Sequence, residues 1–147
     1  MTAERCADPR VARIADWFEQ LAPADIERLG ELYAADARFK DPFNDVQGVA
    51  AIQRVFAHMF TALHEPRFKV HEVIMQGDRC FLSWDFGFRF KRFSSAPQTV
   101  RGSSHLVLDA QGRITLHRDC WDVAEELYEK LPVLGAFMRW LKRRANA

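Results

Sequence analysis

Cys80-Phe-Leu-Ser-Trp-Asp-Phe-Gly-Phe-Arg-Phe-Lys-Arg-Phe93 is the stretch on which the fold is decided. Trp84, Phe86, Phe88 and Phe90 fall at every second position, so an extended chain puts all four rings on one face. Rings of that size need a core or a cavity to sit in. Working outward, Phe68 to Met75 alternates in the same way and is joined to this run by Gln76-Gly77-Asp78. Beyond it, Ser94-Ser95-Ala96-Pro97 turns the chain into a strand from Gln98 to Leu108. Asp109-Ala110-Gln111-Gly112 then leads to a last strand from Arg113 to Trp121. Consecutive strands joined by short turns imply an antiparallel meander.

The N-terminal part has a different period. Asp8-Pro9 reads as an N-cap followed by a proline at the first helical position. Val11, Ile14, Ala15, Phe18 and Leu21 then recur at helical spacing. Pro23 opens a second helix whose apolar stripe is Ile26, Leu29, Leu32 and Tyr33. Ala37 to Pro42 reads as a short strand, and Asn44-Asp45 and Gly48 as turn residues. Ile52, Val55, Phe56, Met59, Phe60 and Leu63 predict a third helix ending near His64, before Pro66. At the other end, Val123 to Leu131 and Val133 to Leu141 read as helical, the second closing in Lys142-Arg143-Arg144. Helices segregated from a meander define an α+β domain.

Composition bounds the rest. A chain of 147 residues with 48% hydrophobic and 28% charged residues suits a single globular domain, taken as 1–147. The twelve Phe and four Trp again call for a core or a cavity. A formal net charge of +1 supplies no global field toward nucleic acid or an anionic membrane, and neither is an expected partner. Arg139 and the Lys142-Arg143-Arg144 end read as a solvated helix terminus. No run of apolar residues is long enough to span a membrane, and the polar start MTAERCADPRVAR lacks the apolar core of a secretory signal. Cys6, Cys80 and Cys120 are odd in number, lie far apart and form no CxxC pair. Reduced thiols in the cytoplasm are the simplest reading. His58, His64, His71 and His105 show no metal-ligand spacing and read as surface or structural, so neither a metal nor a cofactor is expected.

Three stretches carry a resemblance. Asp25 to Phe43 and Asp109-Ala-Gln-Gly-Arg-Ile are similar to the corresponding parts of bacterial ketosteroid isomerases. Gly112-Arg-Ile-Thr-Leu-His-Arg-Asp-Cys-Trp-Asp122 is similar to the closing strand of limonene epoxide hydrolases. On these residues the chain, except its last helix, resembles the SnoaL-like branch of the nuclear transport factor two-like superfamily. The resemblance implies a cone: a curved antiparallel sheet wrapped around N-terminal helices, with a central pocket and here an additional C-terminal helix. It also implies a homodimer formed through the outer sheet face, on which period two places Arg89, Arg101, Ser103 and His105.

The resemblance further assigns candidate site residues. Asp41 matches the isomerase base, and Trp17 and Ser104 stand where isomerases carry their oxyanion donors. Asp119 matches a catalytic aspartate of the hydrolases, whose Arg-x-Asp pair is replaced here by Ser83-Trp84-Asp85-Phe86. Phe39, Phe56, Trp84, Phe86 and Trp121 are expected to line the pocket, while Phe88 reads as core packing.

Period two on the last strand brings His117, Asp119 and Trp121 to one face. An imidazole and a carboxylate in one apolar pocket can do acid–base chemistry, or can simply satisfy each other. Asp41 can serve as a pocket acid, or as a turn residue bonded to its own loop. Two functions follow. One is a cofactor-independent acid–base enzyme of isomerase, cyclase or hydrolase type, acting on a small, mostly apolar substrate. The other is a non-catalytic binding protein for such a molecule.

Overall fold

A computed structural model describes residues 7–91 and 95–146. Cys6, the end of the expected strand at Phe93 and part of the turn at 94–97 lie outside the described residues. Helix α1 spans Pro9–Gln20, with the Asp8 carboxylate accepting from the backbone N–H of Arg10 as N-cap. Its buried face is Val11, Ile14, Ala15 and Phe18. The next element, Pro23–Glu31, is a 3-10 helix rather than the expected α-helix. Its apolar residues Ile26, Leu29 and Leu32 are spaced by three, which is the repeat of a 3-10 helix, where side chains three apart eclipse. Tyr33 therefore leaves the helical stripe and begins strand β1, Tyr33–Lys40.

The remaining order is β2 (Asp45–Gln47), α2 (Val49–Ala62), β3 (Leu63–Gln76), β4 (Arg79–Phe90), β5 (Gln98–Leu108) and β6 (Ile114–Cys120). Strand β2 forms where only turn residues were expected, pairing with Arg38 to Lys40 of β1. Helix α2 ends before His64, and β3 begins at Leu63 and contains Pro66. A proline is tolerated there because β3 is the sheet edge and its register shifts between His64 and Arg67. After β6, the first apolar run of the tail breaks into a short helix α3, Val123–Glu126, and a 3-10 turn, Tyr128–Lys130. The second run forms α4, Pro132–Ala145.

One curved, unclosed sheet holds the domain together, in the order β2-β1-β6-β5-β4-β3. The meander β3-β4-β5-β6 is antiparallel, as expected. Strand β1 joins its far side parallel to β6, a pairing the meander pattern does not contain. Helices α1 and α2 pack on the inner face, mainly over β3 and β1. The core between them includes Val11, Ile14, Leu29, Tyr33, Ile52, Val70, Leu82, Leu106 and Ile114. The outer face carries Arg101, Ser103 and His105, together with Ile74 and Phe81, which are 66% and 50% exposed.

One close approach fixes an inner side chain. Trp84 lies directly across β5 at Gly102, its pairing partner, and a Cβ at Gly102 would stand 2.4 Å from the indole ring. Gly102→Ala is therefore expected to push the buried indole off its site and destabilise the fold by about 1–3 kcal/mol, the usual range for overpacking. Urea unfolding followed by tryptophan fluorescence measures this; a stability within 0.5 kcal/mol of wild type, taken as roughly the noise for a neutral substitution, would contradict it.

Candidate functional site

The register of β4, β5, β6 and β1 assembles a polar cluster on the inner face. Asp119 of β6 pairs directly with Ser104 of β5. His117, two residues earlier, shares the face of Asp119 and lies beside Phe39 of the parallel strand β1. Tyr33, at the start of β1, reaches the same imidazole. The hydrogen bonds run in sequence. Tyr33 Oη lies 2.6 Å from His117 Nδ1, and His117 Nε2 lies 2.7 Å from Asp119 Oδ1. Ser104 Oγ donates to the same Oδ1 at 2.5 Å, and Trp84 Nε1 donates to Ser104 Oγ at 2.8 Å.

The direction of these bonds follows from what each group can supply. Burial, and secondly the negative charge of Asp119, hold the Tyr33 phenol well above its ordinary pKa, so it keeps its proton. Tyr33 is fully buried, and its hydroxyl hydrogen has no acceptor among the described residues except Nδ1. It therefore donates, His117 is neutral, and the ring carries its proton on Nε2, pointed at Asp119. Asp119 receives two donors on Oδ1. Its Oδ2 has no hydrogen-bond partner among the described residues, and the side chain remains 15% exposed. The rings of Phe18, Phe39 and Tyr33 fix the imidazole from three sides, with centroids at 5.4, 4.8 and 5.9 Å.

Two cavities meet at this carboxylate. A recess of about 20 Å³, room for one water, is lined by Phe18, Phe68, Val70, Leu82, Ser104 and His117, among others. A chamber of about 280 Å³ opens beyond it. Phe56, Phe68, Trp84 and Asp119 line both. The chamber wall adds Phe39, Phe86, Phe88, Phe90 and Val100 from the sheet, Trp121 from just beyond the end of β6, and Val55 and Met59 from α2. Phe88 thus borders the chamber, although its spacing reads as core packing.

Asp41 continues the inward phase of Ala37 and Phe39 and lines the chamber near its rim. Its carboxylate is engaged by its own loop. Oδ1 accepts from the backbone N–H groups of Phe43 and Asn44, at 2.8 and 2.6 Å, and Oδ2 accepts from the Asn44 side chain at 3.0 Å. The loop so held carries Phe43, which meets Trp121 edge-on at 5.7 Å.

Trp17 is the candidate that lies elsewhere. The inward arc of α1 is centred on Ile14, Ala15 and Phe18, so Phe18 enters the recess and Trp17 falls on the flank. There the Arg28 guanidinium lies 5.1 Å from the Trp17 ring centroid, and Trp17 Nε1 is buried without a hydrogen-bond partner among the described residues. Trp17 lines neither cavity. Of the histidines, His58 stands exposed at the chamber edge, His71 pairs with Asp85 at 3.0 Å, and His105 stacks on Phe81. Among the described residues no three His, Cys, Asp or Glu side chains converge as metal ligands. Sequence reasoning missed Phe18, Phe68 and above all Tyr33. Tyr33 stood next to Leu32 in the apparent helical stripe; only its pairing opposite Ile114 would have revealed it.

The comparisons agree with this architecture. Residues 14–117 match the model of the SnoaL-like domain, and the chain belongs to that family. No curated protein matches. Among solved structures, a protein of ketosteroid isomerase-like fold from Catenulispora acidiphila, crystallised with trimethylamine, is similar at 20% identity and TM-score 0.69, over 81% of this chain and 89% of that one. A protein described as a SnoaL-like polyketide cyclase from Jannaschia sp. CCS1 is similar at 16% identity and TM-score 0.69, over 79% and 87% of the two chains. An LEH-like epoxide hydrolase of M. tuberculosis is similar at 15% identity and TM-score 0.65, over 94% and 93% of the two chains. At these identities the likeness is one of fold.

The Tyr33 phenol gives a pH dependence with a definite sign. An unfolded tyrosine ionises from about pH 10, whereas the folded phenol stays protonated. The contribution is complete below that value and is lost as pH rises from it, with a slope of up to about 1.4 kcal/mol per pH unit. Chemical denaturation between pH 8 and 11.5 should therefore show a decline in stability above roughly pH 10 that Tyr33→Phe flattens. An unchanged slope in the variant would contradict the buried donor.

Proposed function

We propose that the chamber binds a small, mostly apolar molecule, and that Asp119 acts on it as a cofactor-independent general base or acid. The observation that carries this reading is the free Oδ2 of Asp119 at the junction of recess and chamber, with Oδ1 held by Ser104 and His117. In this chemistry Oδ2 takes a proton from a C–H of the ligand, or from a water in the recess, and returns it as the carboxylic acid. His117 and Tyr33 stay in place and orient the carboxylate; they are positioning residues. The reaction class is isomerisation, cyclisation or water addition. The chamber-lining rings Phe39, Phe56, Trp84, Phe86 and Trp121 hold the ligand, and Ser104 aims Asp119 rather than donating into the chamber. Asp41 shapes the rim through the loop that carries Phe43.

Asp119→Asn keeps the shape and the hydrogen bonds to His117 and Ser104 but removes the base. It is expected to lower kcat by about 10²–10⁴-fold on a substrate found by screening. Asp41→Asn is expected to raise KM with a small effect on kcat. A kcat loss in Asp41→Asn alone would move the base to Asp41.

The second reading, a binding protein without turnover, is favoured by one feature. Among the described residues, the donors beside Asp119, which are Trp84, Ser104 and His117, are already committed within the cluster, which leaves none of them for an oxyanion. A ligand that copurifies, binds and is never transformed would select it.

Pairing of two copies through the outer sheet face is also part of the proposal, supported by exposed Ile74 and Phe81 beside His105, whose buried Nε2 has no hydrogen-bond partner among the described residues. Light scattering at micromolar concentration should give about twice the 17.0 kDa chain mass, and a monomer mass would contradict it. The free, exposed thiol of Cys120 supports a reducing compartment such as the cytoplasm.

A further inference from the structure

The charges that line the chamber and the recess are all of one sign. Asp41 and Asp119 are carboxylates, and no lysine or arginine is among the described lining residues. His58 stands exposed at the edge, and His117 is neutral because Tyr33 donates to its Nδ1. Ser104 and His117 therefore satisfy Asp119 by hydrogen bonds without cancelling its charge. A carboxylate walled by Phe56, Phe68 and Trp84 has little water to solvate it, and an uncompensated charge in such surroundings is unfavourable until a counter-ion arrives. The faces of Phe and Trp rings attract cations.

We infer that the chamber selects an organic cation: a tertiary or quaternary ammonium head on a compact apolar body, the head beside Asp119 and the body against Phe86, Phe88 and Trp121. A neutral ligand of the same shape fills the same space but leaves Asp119 uncompensated, and an anion is repelled by both carboxylates. A volume of about 280 Å³ limits the ligand to a small molecule. This inference rests on the reading of the chamber as a ligand site. It does not require Asp119 to transfer a proton.

The test compares choline with 3,3-dimethylbutan-1-ol, its neutral carbon isostere, by titration of the full chain followed by protein-observed NMR. Choline is expected to bind at least about ten-fold more tightly, a difference of roughly 1.4 kcal/mol. Asp119→Asn should bring the two affinities to within about two-fold of each other by weakening choline alone. Equal or tighter binding of the isostere, no choline binding at millimolar concentration, or a preference untouched by Asp119→Asn would each overturn the inference. Its failure is distinguishable from failure of the catalytic reading. A substrate whose turnover depends on Asp119 while the isostere outcompetes choline leaves catalysis standing without the cation. Choline preference with no Asp119-dependent turnover of any substrate does the reverse.

Discussion

The hydrogen bond between His117 Nε2 and Asp119 Oδ1 is the constraint on which the interior depends. It is a bond between two side chains on one strand, two residues apart, so sheet geometry alone brings them to the same face. What gives it a direction is Tyr33, which is buried, holds its proton and, among the described residues, has only Nδ1 to give it to. The imidazole must then present its single N–H to Asp119. A doubly protonated ring would leave the Tyr33 hydrogen fully buried without an acceptor among the described residues, an arrangement that costs about 1–3 kcal/mol. The carboxylate is thereby kept as an acceptor, aimed by Ser104 and His117, with its other oxygen free.

The scaffold around this bond is set by a few packing choices. Gly102 lets the Trp84 indole lie flat across β5, where its N–H reaches Ser104. The parallel pairing of β1 with β6 brings Phe39 and Tyr33 against His117. Helices α1 and α2 close the inner face with Phe18 and Phe56. Aromatic walls and a shielded carboxylate belong together here: the rings exclude water, and the exclusion gives the remaining charge its strength toward whatever enters.

Much of this was legible in the chain. Period two identified all four meander strands, because each has one face inward and one outward, and Asp119 with His117 followed from the same alternation. The parts that were not legible depend on contacts between segments distant in sequence. The parallel pairing of β1 and β6 leaves no mark in local periodicity, and without it Tyr33 cannot be connected to His117. Ile26, Leu29 and Leu32 fit a helical stripe as well as a 3-10 repeat, and Tyr33 extended the wrong one. Trp17 and Phe18 are adjacent on a helix, 100° apart, and only the docking of α1 decides which of them enters the recess. Asp41 combines its two readings: it borders the chamber, and its carboxylate holds its own loop.

The tautomer of His117 tests this account most directly. In 15N-histidine-labelled protein near pH 7, two-dimensional NMR correlating ring nitrogens with ring carbons' protons reports the state of each nitrogen. The account predicts a neutral His117 with its proton on Nε2 and an unprotonated Nδ1, and a shift of the Nδ1 resonance in Tyr33→Phe. A doubly protonated ring, or a proton on Nδ1, would contradict it.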